Sequence, residues 1–399
     1  MSSEYRRIHD LPKCREVNDL HHAKDAYLAA VLAQYIKVRY PRLDKAFIYG
    51  EYMKFKSKKQ TDADRSSFIL SSMKYDFTNT ETGEIIWQGK TAQDVIDRTM
   101  RYNDCLITRK TKIGDDQFYD QTIYGKNSGK TMIARKANLP VGKYGGYSGE
   151  KAAYFAAINY LKQVRNKDVS VNEIVSIPAQ IYTLEKTRSD SINEYISNNY
   201  KQATVLLSKI PINQKIEYEG NEQFIVGSSE VTNAKQLKLP YDIEYAVAIA
   251  LKQGIPRITI SEEQAEKDNN LRNKRAKQIE KRDKVISGIE RFWEVYTDKL
   301  SSQYQQFGSA VEKAKAASSK YQAMSVDDKI KVIGLVLVAT HAGSGRVDMK
   351  KSFPKLGLPD GFGRMKDKNL NPTKLTFVYE SITGLHCRKL DGKLLEQDQ

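Results

Sequence analysis

Residues 21–25 read His-His-Ala-Lys-Asp, so two histidines and a carboxylate stand within five positions of a chain that has only five histidines. They open a run with apolar residues at Tyr27, Leu28, Val31, Leu32, Tyr35 and Ile36, which is helical spacing, and Pro41 stops it. On such a helix His22 and Asp25 are three apart and His21 and Asp25 are four apart, so each pair shares a face. An imidazole beside a carboxylate is what metal-assisted phosphodiester cleavage needs. The carboxylate holds a divalent cation through oxygen, and the imidazole takes a proton from an attacking water. The plain alternative is a first turn whose aspartate suits the helix dipole and whose histidines face solvent. One Asp and one His are also too few for a two-metal site, which needs several carboxylates.

The elements around the motif read as α/β. After the helix, "KAFIYGEYMKF" (45–55) is strand-like and 56–66 is a polar loop. "GEIIWQG" (83–89) is a second strand, "TAQDVIDRTMRY" (91–102) a helix capped by Thr91, and "CLITRKTKI" (105–113) another strand. These elements are too few for a complete α/β domain. From 112 onward short strand-like runs alternate with polar turns: "TMIARKA", "IVSIPAQIYTL", "KIEYEGNEQFIVGSS" and "TKLTFVYESITGL". Helices are expected at 150–163, 190–199 and 240–253. The first of these rests on Tyr154, Phe155, Ile158 and Leu161 as one apolar face. A long helix should run from Ser261, with an acidic first turn, to about Leu300. Within it, 272–284 carries seven basic and two acidic residues, either a solvated face or one that meets phosphates. The expected fold class is therefore multidomain α/β and α+β, with β-rich segments and inserted helices.

Composition narrows the function classes. A chain of 399 residues should form two or three domains. At 40% hydrophobic and 29% charged it is globular rather than disordered. Lys and Arg number 65 against 49 Asp and Glu, and the net charge of +16 favours an anionic partner, most commonly nucleic acid. Cys14, Cys105 and Cys387 are too far apart for a disulfide framework or a close metal pair, which fits a reducing cytoplasm. The N-terminus lacks a secretory apolar region. The most apolar run, "IKVIGLVLVA" (330–339), is half the length of about 20 residues that a membrane span needs, and reads as a buried helix or strand. The 24 Tyr and 12 Phe read mainly as core of a β-rich domain rather than as a stacking platform for bases.

The stretch "REVNDLHHAKDAYLAAVLAQYIKVRYPRLDKAFIYGEY" (15–52) resembles the third RuvC segment of the type II CRISPR-associated RNA-guided DNA endonucleases. The likeness continues in order through "TGEIIW" (82–87), "MIARK" (132–136), "KYGGY" (143–147), "LPYDIEYAVAIA" (239–250) and "ESITGL" (380–385). The resemblance implies that His22 is the general base of a RuvC site and Asp25 a ligand for Mg²⁺ or Mn²⁺, with His22 at the same metal centre. His21 is then a supporting neighbour, and Lys24, a histidine in some relatives, has no role. The RNase H-like fold of that family is built from three separated segments. The Asp and Glu of the first two are expected to be supplied from outside this chain, which is then a deliberately excised piece, a truncated gene product or one half of a split protein. Alone it should not cleave DNA.

The remainder resembles the family's PAM-interacting domain, which reads a short duplex motif beside the target through the major groove. Residues 1–111 are then a partial nuclease segment. Residues 112–213 are the first part of the reading domain with its phosphate-grip loop, and 214–399 its C-terminal part. By the resemblance, Arg364 and Lys366 in "GFGRMK" are the base readers, although the best-known relatives carry two arginines there. Ser148 faces the DNA backbone of the motif, and Glu230 orients the base-reading arginine. Asp120, Gln121 and Thr122 lie in the loop that grips the first target-strand phosphate, with Asp120 where some relatives have lysine. Arg135 and Lys136 meet guide-RNA phosphates. The implied partners are guide RNA, target duplex DNA and the rest of the nuclease, in a bacterial cytoplasm, with a monomeric chain. The alternative is a catalytically dead binding fragment, or the target of an anti-CRISPR protein.

Overall fold

The computed structural model describes residues 1–41, 68–104, 108–114, 117–218, 220–303, 308–342, 353–358 and 370–396. The expected strand at 45–55, together with Arg364 and Lys366, lies outside them.

The motif helix spans Leu20–Arg39 and buries Leu28, Leu32, Tyr35 and Ile36, one stripe at helical spacing. This stripe packs on Tyr5 and Leu11 of the N-terminal segment, on Ile69, Leu70 and Met73, and on Ile96 and Met100 of the Gly89–Met100 helix. That second helix starts two residues before the expected Thr91 cap. Gln88 is its N-cap, and the Asp76 carboxylate accepts from the Gly89 amide at 2.9 Å, so a residue distant in sequence does the work of a local cap. The hairpin β1 (Phe77–Thr78) and β2 (Ile85–Trp87) pairs antiparallel ahead of it. Of the strand expected at 105–113, the described part makes only an isolated bridge, Lys112 to Ile212.

The central region is antiparallel. β3 (Ile123–Tyr124), β4 (Ile133–Ala134) and β5 (Gly146–Tyr147) form a small sheet in the order β3-β5-β4. β6 (Ala152–Val164), β7 (Lys167–Pro178) and β8 (Thr204–Ile210) form a second, in the order β7-β6-β8. β6 corrects the helix expected at 150–163. Its alternate residues feed two different cores: Phe155 and Ala157 on one face, Tyr154, Ala156 and Ile158 on the other. A strand buried on both faces reads as a continuous apolar run, and periodicity cannot separate it from a buried helix. β7 stops at Pro178, and the "AQIYTL" expected to continue as strand is the helix Ala179–Glu185. The Ser191–Asn199 helix stands where expected.

A five-stranded sheet follows in the order β11-β10-β9-β12-β13, from β9 (Gln214–Tyr218), β10 (Asn221–Gly227), β11 (Glu230–Asn233), β12 (Thr376–Glu380) and β13 (Cys387–Asp391). A helical cluster is inserted between β11 and β12. Its core surrounds Asn269–Gln303, which buries Val285, Ile289, Phe292, Trp293, Tyr296 and Leu300. Ser261 caps a helix where one was expected to start, through a capping box with Gln264, but that helix ends at Lys267, and extended Asp268 separates it from the 35-residue helix. Tyr241–Gln253 crosses the long helix at Gly288, where an added Cβ would come 2.2 Å from the Ala246 Cβ. The 330–339 run is helical, within Val326–Ala342. Among the described residues no helix is long and apolar enough to cross a membrane.

The motif segment docks on this inserted cluster. Cys14 and Val17 join its core. Asn18 donates to the Leu237 carbonyl at 2.8 Å, and the Asp19 amide donates to Gln236 at 3.0 Å. Lys24 pairs with Glu244 at 3.1 Å with both side chains nearly buried, so a position expected to have no role ties the two regions together. The helix carrying His22 and Asp25 is thus fixed from both sides.

Candidate functional site

His22 is exposed on the first turn of the motif helix, and His21 beside it is buried. Their rings lie 4.1 Å apart. His21 Nδ1 is 2.8 Å from the Asn18 carbonyl, which can only accept, so Nδ1 carries the proton and Nε2 is left with its lone pair. Burial, then the neighbouring His22 and Lys13, depress the His21 pKa, against the Asn18 hydrogen bond.

Asp25 stands one turn on. Arg6 donates to its Oδ1 from Nε at 3.0 Å and from Nη2 at 2.7 Å, and Lys13 binds Oδ2. Burial pushes the Asp25 carboxyl up, but Lys13 and Arg6 outweigh it and hold it below the usual carboxylate range. An anion that collects two cations on its two oxygens is a hard oxygen donor, as a divalent ion requires. Asp25 thus fits as one ligand of such an ion, which would compete with Lys13 and Arg6. Sequence reasoning missed both cations, although "RR" and "K" in the first 14 residues were visible. It also missed Asp19. Asp19, His21 and His22 each bring a ligand atom within 4.8 Å of the others, so the group the fold gathers around the histidines includes Asp19 and not Asp25.

The described residues expected at nucleic acid flank strands: Thr122 precedes β3, Arg135 follows β4, Ser148 follows β5 and Glu230 opens β11. The loop 119–122 runs beside 147–151: the Asp120 amide donates to the Gly149 carbonyl at 3.0 Å, and the Ser148 amide donates to the Thr122 carbonyl at 3.1 Å. Tyr119 stacks flat on Tyr147 at 4.7 Å. Asp120 accepts from the Ser148 hydroxyl at 3.1 Å and pairs with Lys151 at 2.5 Å. Lys151 first, and Ser148 with it, hold the Asp120 carboxyl below its usual value despite some burial. Asp120 is therefore a brace for the loop, and Gln121 and Thr122 are the exposed side chains it presents. Lys151 and Glu230 line one open groove of about 590 Å³, and Lys151 is the residue of that groove that pairs with Asp120 of the loop. Lys151 is a cation that sequence reasoning passed over.

Gly145 in "KYGGY" has φ +71°, and an added Cβ would lie 2.1 Å from the Tyr124 carbonyl oxygen. Only glycine allows β5 to enter the sheet there. Arg135 and Lys136 are exposed just past β4. "SITGL" forms the turn between β12 and β13, closed by Ser381 N–H to the His386 carbonyl at 2.9 Å, with Thr108 donating to the Ile382 carbonyl. The basic run is partly committed to the fold: Arg275 pairs with Glu262, Lys281 with Asp10, and Lys284 lies over the Tyr245 ring. Arg272, Lys274 and Lys277 face outward.

Residues 1–112 match the family model for the Cas9 RuvC domain. Residues 116–388 match that for the PAM-interacting domain of CRISPR-associated endonuclease Cas9. The chain is 33% identical over 245 residues to a CRISPR-associated endonuclease Cas9 of Listeria innocua serovar 6a, and 28% identical over 251 residues to one of Streptococcus mutans serotype c. Each match covers 60% of this chain and only 18% of the relative. The RuvC-type helix, the antiparallel sheets with their inserted helices and these matches agree: the chain belongs to the Cas9 family of CRISPR-associated endonucleases, and corresponds to the C-terminal portion of such an enzyme.

Proposed function

We propose that the chain reads the PAM in duplex DNA and contributes part of a RuvC site that cuts the displaced, non-target strand during guide-RNA-directed cleavage. The observation that carries the reading is the bracing of the loop 119–122 on Ser148 and Lys151 through Asp120, with Lys151 and Glu230 lining one groove. Gln121, Thr122 and loop amides hold the first target-strand phosphate by hydrogen bonds. Arg364 and Lys366 reach base edges in the major groove, where an arginine fork suits guanine. Glu230 orients Arg364, Ser148 meets the DNA backbone, and Arg135 and Lys136 meet guide-RNA phosphates. Residues 1–111 act as the nuclease segment, and 112–213 and 214–399 as two parts of the reading domain, in a monomer in the bacterial cytoplasm.

In the cutting step His22 takes a proton from the attacking water at a ring nitrogen, for which its exposure suits it. Asp25 would offer carboxylate oxygens to Mg²⁺ or Mn²⁺, with His22 at the same centre, and Arg6 and Lys13 hold that carboxylate ionised. A bound divalent ion would supply charge stabilisation to the phosphate. One carboxylate does not hold two such ions, so the site is completed by carboxylates outside this chain, and the chain alone is inactive as a nuclease.

The test is strand-resolved cleavage by a complete enzyme carrying these residues. Asp25→Ala should abolish the non-target-strand nick and leave motif-dependent binding intact. Mg²⁺-dependent cleavage by the isolated chain that Asp25→Ala removes would overturn the division of the site.

A further inference from the structure

We propose that Asn18 and Gln236 are positioning residues for the nick: together they fix the start of the motif helix and, through His21, the ring of His22. This role presupposes that His22 is the proton acceptor of the cutting step, as proposed above. The motif helix is not capped by its own N-cap residue. Asp19 stands at that position and makes no side-chain cap bond. The amides at the helix start, which have no partner within the helix, must therefore find acceptors elsewhere. Asn18 Oδ1 accepts from the Leu20 amide at 3.0 Å, and Gln236 Oε1 accepts from the Asp19 amide at 3.0 Å. Gln236 lies just past β11, the strand that Glu230 opens, so the acceptor comes from the reading domain.

Asn18 does more than cap. It is buried, and its Nδ2 donates to the Leu237 carbonyl at 2.8 Å, next to Gln236. Its backbone carbonyl takes the Nδ1–H of His21 at 2.8 Å. One residue is thus bonded at once to the helix start, to the connector after β11 and to the His21 ring. That ring in turn lies 4.1 Å from the His22 ring, at an interplanar angle of 39°. A buried amide with both side-chain ends bonded selects one arrangement, because any other leaves its donor or acceptor unpaired away from water. Asn103 ties the same connector a second time, donating to the Leu239 carbonyl at 3.0 Å. A general base has to stand within about 2.6–3.2 Å of the proton it takes. A tilt of the helix start therefore costs rate and leaves DNA affinity alone.

The test joins single-turnover, strand-resolved cleavage by a complete enzyme carrying these residues, at saturating enzyme, to hydrogen exchange of the isolated chain without added metal. Gln236→Ala should slow the non-target-strand nick at least about tenfold and leave motif-dependent binding unchanged. Gln236→Glu keeps the acceptor and should restore the rate. Asn18→Asp keeps the bond to the Leu20 amide but turns an oxygen toward the Leu237 carbonyl, so it should slow the nick as well. In the isolated chain Gln236→Ala should speed exchange of the amides of 19–25, while those of 28–36 stay protected and the melting temperature holds. Asn199→Ala, which removes an exposed bond to the Tyr195 carbonyl, should alter neither readout. A wild-type nick rate in Gln236→Ala or in Asn18→Asp would overturn the proposal. So would exchange in Gln236→Ala that rises along the whole helix with a matching fall in melting temperature, which makes the contact structural only. Persistence of the nick in Asp25→Ala refutes the reading of the cutting site, whereas exchange at 19–25 reads the helix start without any nick, so the two failures are distinct.

Discussion

Two cysteines show how the fold sets the chemistry of a single residue. Burial first, and then the Glu16 carboxylate beside it, push the Cys14 thiol up to about 12, while Cys387 is exposed on β13. The thiolate is the reactive form. Iodoacetamide at about pH 8 should therefore modify Cys387 and spare Cys14 in the native chain, read by peptide mass spectrometry; equal labelling of both would contradict the buried placement. His9 stacks on Tyr5 at 4.1 Å, and burial lowers its pKa against the pull of Asp97. The folded state thus disfavours the charged ring, and the unfolded chain binds more protons below its ordinary value of about 6.5. Stability from this residue is present above that value and is lost as pH falls through it. Wild type should lose stability relative to His9→Gln between about pH 7 and pH 5 in denaturant melts; a constant difference would remove His9 as the cause. At this scale the sequence marked out His22 and Asp25 as candidates through spacing and resemblance. It did not show Arg6, Lys13, Asp19 or Lys151, because ion pairs and clusters across a fold leave no local period.

At the scale of elements, the contact between the motif helix and the inserted cluster is the joint that places His22 and Asp25. Lys24 and Glu244 meet there almost out of water. Removing one partner strands the other charge, so Glu244→Ala should cost on the order of 3 kcal/mol in urea unfolding, and Lys24→Met with Glu244→Leu should recover most of it. No loss in Glu244→Ala would mean the pair is solvated. Gly145→Ala should disrupt β5 and the loop it supports, since its backbone is left-handed and the Tyr124 carbonyl fills the space. The readout is loss of grip-loop-dependent DNA binding with the helical cluster still folded. The helices Tyr241–Gln253 and Ser191–Asn199 were legible in the sequence. So was the strand character of "KIEYEGNEQFIVGSS", which folds as β9 and β10. β6 was not, because its two buried faces erase the alternation that marks a strand. The start of the Gly89–Met100 helix was set by Asp76, beyond any local window.

For the whole molecule, the net charge of +16 makes attraction to phosphates general and salt-sensitive. Part of the basic run at 272–284 is spent on internal pairs with Glu262 and Asp10, which leaves Arg272, Lys274 and Lys277 to act outward. Charge of that kind cannot select a sequence; base-edge contacts can. The central claim is that this chain carries the sequence-reading surface, and the most direct measurement is binding of the purified chain to duplexes with a randomised short motif, at two salt concentrations, with Arg364→Ala alongside. The account predicts a recovered motif that persists at higher salt, and a loss of roughly 1–3 kcal/mol in Arg364→Ala confined to that motif. Binding that follows salt alone, with Arg364→Ala weakening every duplex equally, would contradict it.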